Sequence, residues 1–250
     1  MAVALLYVRC DFLSTTVLVA ICVTASLMEK MPYQEPLSDD PVVSPVPLSA
    51  PLPAAATDWR HGLPTLTGSL VTLRELRASD AGALFVMLNT AEVTRFISPP
   101  PATVDGFEKF IAWADRERVG GRYVCFAVVP RGSDTAIGLF QIRSLEAEFG
   151  TSEWGFAVAS EFWGTGIFGD GARLAIGFAF DTLGTRRLEA RAAMENTRGN
   201  AALRKLGASR EEILRKSFLR HGELHDQALW TILADEWQDA RQLSFAPGIH

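Results

Sequence analysis

The chain has 250 residues, 48% apolar and 21% charged, enough for one sizeable globular domain with segments left over. Its net charge of −5, from 24 Lys and Arg against 29 Asp and Glu, argues against a general affinity for nucleic acid. The 3 Cys and 4 His are scattered with no Cys-x-x-Cys or Cys/His cluster. A disulfide framework and a metal site are therefore unsupported, and a cytoplasmic protein with reduced cysteines is expected.

Residues 1–30 form an apolar leader. Its run from 12 to 28 is diluted by Ser14, Thr15, Thr16, Thr24 and Ser26, and falls short of the ~20 predominantly apolar residues of a membrane span. Three readings stay open, in this order: translation starting at Met28 or Met31, a signal-like segment ending near Val23-Thr24-Ala25, and an anchor. No membrane partner is expected. Residues 31–67 hold eight of the 13 prolines, which lack an N–H and fix φ, so a disordered or polyproline-like linker is predicted. The folded domain is placed at 68–238 and a tail at 239–250.

Within the domain, residues 70–76 read as a strand, followed by a helix capped by Ser79 or Asp80 with Ala81, Leu84, Phe85 and Leu88 at helical spacing. A second helix spans 104–118, with Phe107, Phe110, Ile111 and Ala114 on one face. Strands follow at 123–129, 136–143 and 152–158, joined by short turn-like gaps that predict antiparallel pairing. Then comes Trp163-Gly164-Thr165-Gly166-Ile167-Phe168-Gly169, opening a helix that buries Ala172, Ala175, Ile176, Ala179, Phe180 and Leu183. A strand at 187–194, a short helix at 200–206 ended by Gly207, and a hairpin of 212–219 and 226–233 turning at His221-Gly222 complete the order. The class is α+β.

The glycine turn matches G-x-G-x-x-G, with Glu189 twenty residues beyond Gly169. A dinucleotide site needs a strand running straight into the first glycine and further parallel βαβ units. Here Ser160-Glu161-Phe162-Trp163 intervenes, and Glu189 falls inside a strand rather than at its end. A helix start shaped for packing alone would need one glycine; three suit an anion, because bare N–H groups and the helix dipole then face it. The basic residues Arg186, Arg187, Arg191, Arg198, Arg204, Lys205, Arg210, Arg215, Lys216 and Arg220 crowd the same half of the chain. They read as a solvated face or as a site for a phosphate-rich ligand.

Glu161-Phe162-Trp163-Gly164-Thr165-Gly166, the helix over 172–183, the strand over 187–191, Glu195-Asn196-Thr197 and Leu203-Arg204-Lys205-Leu206-Gly207 stand in one order and spacing. Together they resemble the GNAT superfamily of N-acetyltransferases, most closely the branch of ribosomal-protein N-terminal acetyltransferases, over about 70–237. The resemblance implies a mixed, largely antiparallel six- to seven-stranded sheet with helices on both faces, and two central strands that diverge around acetyl-CoA as co-substrate. It places pantetheine on the backbone of Phe156, Ala157 and Val158. It places the pyrophosphate on N–H groups of Gly164, Thr165, Gly166, Ile167, Phe168 and Gly169, with Asp170 beginning the helix. Asn196 matches the family asparagine near pantetheine, and Lys205, with Arg204, is matched to the CoA phosphates. Glu153 matches a glutamate common in the branch and becomes the candidate general base; the amide of Phe156 or Ala157 becomes the oxyanion donor. Two departures stand out: Phe168 where relatives carry Gly or Ala, and Gly199 where many carry a serine that protonates the leaving thiolate. The implied function is acetyl transfer to a primary amine, on a protein N-terminus or a small molecule; the alternative is a non-catalytic acyl-CoA-binding module. The walls at 91–101 and around His221 would choose the acceptor. Acceptor and oligomeric state carry no signature in the sequence.

Overall fold

Alternation along a strand sends successive side chains to opposite faces, so a strand apolar throughout must be covered twice. The strand β3 (Tyr123–Pro130) is of this kind: Val124, Phe126 and Val128 enter one apolar cluster, and Tyr123, Cys125, Ala127 and Val129 enter another. A computed structural model, which describes residues 58–220 and 222–245, shows the sheet that results. The leader, the proline-rich segment up to residue 57, the turn residue His221 and the last five residues lie outside the described residues, with the expectations placed on them.

Eight strands line up in the order β1-β2-β3-β4-β5-β6-β8-β7. They are β1 (Leu66–Thr67), β2 (Val71–Glu75), β3, β4 (Gly138–Ser144), β5 (Thr151–Val158), β6 (Arg187–Ala193), β7 (Ser209–Arg220) and β8 (Glu223–Leu233). Every neighbouring pair is antiparallel except β5 and β6, which are parallel. The strand beyond the expected six or seven is β1, two residues too short to show a pattern.

One face is covered by α4 (Ile167–Asp181), whose Ala172, Ala175, Ile176 and Ala179 pack on β2 to β6 and β8. The same cluster takes in Leu203 of α5 (Thr197–Lys205) and Trp237 of α6 (Ala234–Phe245). The other face is covered by α1 (Ala81–Leu88) and α3 (Val104–Val119), through Leu84, Leu88, Phe107, Phe110 and Ile111. The hydroxyl oxygen of Thr103 caps α3 by accepting from Gly106 N at 3.0 Å, which fixes where that wall begins. A four-residue helix, α2 (Ala91–Thr94), lies in the segment 91–101, for which the sequence predicts a wall of the site and no helix.

Composition places the domain edges inside the folded unit. Trp59 is buried against Phe149 with ring centroids 5.5 Å apart, so packed structure already includes residues assigned to the linker. At the far end α6 runs to Phe245, past the expected boundary at 238. Proline density drove the first boundary; a lone tryptophan beyond it gives no periodic signal.

Candidate active site

The site begins where the sheet fails to close. β5 and β6 pair only at Thr151, Ser152 and Glu153, opposite Arg187, Leu188 and Glu189. Beyond Glu153, β5 continues to Val158 along β4, while β6 stays with β8. The register states which groups face the gap. Ala159 N donates to Ile137 O and Leu145 N to Thr151 O, so odd-numbered β5 residues turn their N–H and C=O to β4. Even-numbered residues turn theirs to the gap. The main-chain groups of Phe156 and Val158 therefore form a strand edge without a strand partner, and such an edge accepts an extended ligand. Ala157, grouped with them from sequence, is a correction: its N–H and C=O belong to the β4 pairing, and only its side chain reaches the cavity described below. The Val158 carbonyl is engaged as well, by Trp163 Nε1–H at 2.8 Å, and Arg198 stacks on that indole at 4.8 Å.

The glycine turn stands at the start of α4. Gly164 and Gly166 have φ of 81° and 91°, left-handed values that an L side chain resists, and Gly166 is the N-cap. Asp170 N donates to Gly166 O, the first bond of the helix, so the N–H groups of Ile167, Phe168 and Gly169 have no helical acceptor. Residues 164–166 are exposed. Among the described residues, nothing lies within 4 Å of where a Cβ on Gly164 would stand, whereas Leu70 Cδ1 would lie 3.1 Å from one on Gly166. The Phe168 ring turns inward onto Phe156 and Phe140, at 4.6 and 5.8 Å between centroids, which reconciles a bulky residue with an open anion position. Thr165 is less free than its exposure implies, because its hydroxyl donates to Phe162 O at 2.7 Å. The Asp170 carboxylate is engaged by the segment that leads into β2: it accepts from Leu70 N at 2.7 Å, Val71 N at 3.1 Å and Ser69 N at 3.2 Å. Its side chain thus anchors β2 to α4.

On the α1–α3 face lies a cavity of about 610 Å³. Its apolar wall includes Phe96, Phe107, Phe110, Phe218 and the triplet Pro99-Pro100-Pro101, and Phe156 links it to the gap. Its polar floor carries Arg143, Glu153 and Arg191. Glu153 sits opposite Arg143 in the β4–β5 register and binds its guanidinium; Arg191 Nε is 3.7 Å from the same carboxylate. Asp105 and Lys109, paired at 2.7 Å, stand at the rim of the wall. Deeper in, burial pushes the Tyr123 phenol well above its ordinary pKa and the Cys125 thiol to about 12, so both stay protonated at neutral pH.

Asn196 caps α5, its Oδ1 accepting from Gly199 N at 2.9 Å, and it also lines the cavity; both readings of this residue are therefore met in one place. Gly199 is explained by the same contact, since a Cβ there would come within 2.5 Å of the Asn196 amide nitrogen. Lys205 is exposed in the last turn of α5 and does not line the cavity. The basic run divides in the fold: Arg187 is bound by Glu189 and Glu211, while Arg198 and Arg204 lie over Trp163 and Trp230. Sequence reasoning did not single out Tyr123, Gln141, Arg143 or Gly155, because only strand register brings them together. Among the described residues no cluster of His, Cys, Asp or Glu could hold a metal ion, and no helix is long and apolar enough to cross a membrane.

A family model described as an acetyltransferase (GNAT) domain matches residues 71–209. The uncharacterised N-acetyltransferase p20 of Bacillus licheniformis is 26% identical over 174 residues, covering 69% of this chain and 98% of that protein. The Bacillus subtilis protein provisionally named ribosomal N-acetyltransferase YdaF is 25% identical over 175 residues, covering 67% and 93%. Among solved structures, Mycobacterium smegmatis RimJ in complex with CoA-disulfide superposes with a TM-score of 0.63 at 22% identity, covering 69% of this chain and 88% of that one. That last likeness speaks for the fold alone.

Proposed function

The chain belongs to the GNAT acetyltransferase family and is an acyltransferase enzyme; from that premise we propose that it takes an acetyl group from acetyl-CoA and delivers it to a primary amine. The observation that carries the reading is the unpartnered β5 edge, Phe156 to Val158, running from the bare N–H groups of α4 to the cavity. Those groups fit a long ligand that is an anion at one end and an amide chain in the middle. The main chain of Phe156 and the N–H of Val158 bind the pantetheine arm, and Ile167, Phe168 and Gly169 present their N–H groups to the pyrophosphate. Asn196 Nδ2 remains a donor toward the same arm, its oxygen being spent on the cap. The cavity receives the amine.

In the transfer, the nitrogen lone pair forms the new N–C bond at the thioester carbonyl, the C–S bond breaks, and sulfur leaves with its electron pair as thiolate. An alkyl amine with a pKa of ~10 is mostly protonated near pH 7, so one proton passes to solvent before attack and a second leaves the cationic nitrogen once the N–C bond has formed, while the departing thiolate takes a proton from solvent. Glu153, held by Arg143 and Arg191 where β5 and β6 part, accepts that second proton directly or through a water. Replacing Glu153 with Gln is expected to lower kcat by about 10²-fold, within the range for general-base catalysis, and to leave CoA affinity within twofold. Steady-state kinetics alongside calorimetric CoA binding check this, and unchanged kcat removes Glu153 from the chemistry. A cytoplasmic setting fits the free, buried Cys125.

Gly199 favours a second reading, a non-catalytic acyl-CoA-binding module, since no acid stands at that position to protonate the thiolate. Incubation with acetyl-CoA and a panel of N-terminal peptides and small amines, following thiol release, separates the two. Thiol release that depends on an amine supports acetyl transfer. CoA binding with no turnover on any amine supports the module, and absence of CoA binding overturns both.

A further inference from the structure

Opposite Gln141 in the β4–β5 register stands Gly155, and the two side-chain positions share the cavity face. The missing side chain matters here. A Cβ on Gly155 would come within 2.8 Å of Gln141 Nε2, so the Gln141 carboxamide leans across β5 through the space glycine leaves. Its orientation is set from behind by Tyr123, whose hydroxyl donates to Gln141 Oε1. Tyr123 is 2% exposed, and burial holds its proton in place, so it acts as a donor throughout the working pH range. An amide whose oxygen is taken by such a donor presents its nitrogen outward. Among the described residues Gln141 Nε2 makes no hydrogen bond, although it lines the cavity.

The position is informative. Gly155 lies between Glu153, the last residue paired to β6, and Phe156, whose N–H turns into the gap. A donor above Gly155 therefore stands at the apex of the slot, on the side from which an amine would arrive. A neutral amide N–H cannot take a proton from the amine; it serves an oxygen. The oxygen that gains charge in acyl transfer is the thioester carbonyl, and a fixed donor aimed there stabilises the transition state. We propose that Gln141 is a catalytic residue that donates a hydrogen bond to the carbonyl oxygen of the acyl group in transfer, with Tyr123 as its positioning residue. This rests on the acetyl-CoA reading above. The backbone N–H of Phe156 reaches the same oxygen from the strand edge, and Gln141 reaches it from the face. Two converging donors replace the single one expected from sequence.

Three variants test the assignment. Gln141→Leu removes the donor at similar volume, Gln141→Glu keeps the acceptor for Tyr123 while exchanging the donor for an oxygen, and Gly155→Ala pushes the amide off its seat without changing its chemistry. Both Gln141 variants are expected to lower kcat by about 10²-fold with CoA affinity within twofold, in the range seen when one oxyanion donor is lost. Gly155→Ala and Tyr123→Phe are each expected to lower kcat by about tenfold, less than the whole effect because the amide is displaced and not lost. A readout independent of turnover is the carbonyl band of isotope-labelled acetyl-CoA in infrared spectra. It should lie lower when bound to the wild-type protein than in solution, and return toward the free value in Gln141→Leu. A kcat within twofold of wild type, a loss confined to KM for the amine, or a bound carbonyl band unaffected by the Leu substitution overturns the role of Gln141. If acetyl-CoA fails to bind the wild-type protein, the functional reading falls first and this assignment with it.

Discussion

Replacing Asp80 with alanine is expected to destabilise the domain by about 3–5 kcal/mol, the scale for removing one partner of a buried ion pair. Arg74 and Asp80 are only 7% and 5% exposed. Their contact is bidentate, Nη1 to Oδ2 at 2.7 Å and Nη2 to Oδ1 at 2.8 Å. Asp80 also accepts from Arg77 N at 2.8 Å, while Arg74 donates to the carbonyls of Glu75 and Asp134. The Arg74 guanidinium is held above its ordinary pKa, first by the hydrogen bonds it donates to Asp80, so it does not escape by losing its proton. Alanine would leave that buried cation with two carbonyls and, 3.8 Å from its Nε, only the solvent-exposed Asp134 carboxylate, and would strand the Arg77 N–H. Desolvation of a charge left with only that distant, solvated partner outweighs any relief from losing the Asp80 carboxylate. Urea unfolding of the wild type and variant measures the difference, and a loss below about 1 kcal/mol contradicts the account. A double variant, Arg74→Met with Asp80→Leu, should recover much of the loss, because it removes both charges at once. The pair also bears on function: it ties β2 to the turn that launches α1, and α1 is part of the cavity wall.

Gly169→Asp is expected to weaken CoA binding by about 10²-fold, or ~2.7 kcal/mol, while leaving thermal stability unchanged or slightly raised. The two signs come from one feature. Gly169 is in the first turn of α4, where a carboxylate complements the helix dipole by about 0.3–1 kcal/mol. A Cβ there meets nothing closer than Arg173 Nη1 at 3.4 Å, and Asp to Arg at i, i+4 is a favourable pair. The fold therefore accepts the residue. A pyrophosphate seated on the same N–H groups does not, since it would meet a like charge and a competitor for the donors. Calorimetric titration with CoA, beside a melting curve, reads both effects. Unchanged affinity would mean that the diphosphate sits elsewhere. Few substitutions separate binding from folding this cleanly, because most alterations at a helix start move both together.

Local pattern was enough to read the elements that bound the site. Apolar spacing at 3.6 or 2 residues marks α3, α4 and β3 whatever their neighbours do, because burial of one face imposes the period. Glycines at 164 and 166 are legible for a similar reason: their left-handed φ values exclude other residues at low cost, so the requirement is written at those two positions alone. Motif order along 161–207 was enough to reach the family that the matched domain model shows.

Contacts between distant segments were not legible. Asp170 looked like the first residue of a phosphate-binding helix; about 100 positions separate it from Leu70, whose N–H it accepts. Ala157 looked equivalent to Phe156 and Val158 until pairing with β4 settled which residues face the gap. Gln141 and Gly155 are an unremarkable polar residue and an ordinary strand glycine when read singly. By itself, then, the amino-acid sequence determined the α+β class, the helices α1, α3, α4 and α5, the glycine turn and the family. Only the tertiary structure decided which backbone groups line the gap and which amide overhangs it. The physical reason is that side-chain direction in a sheet follows register, and register is a property of strand pairs brought together by folding.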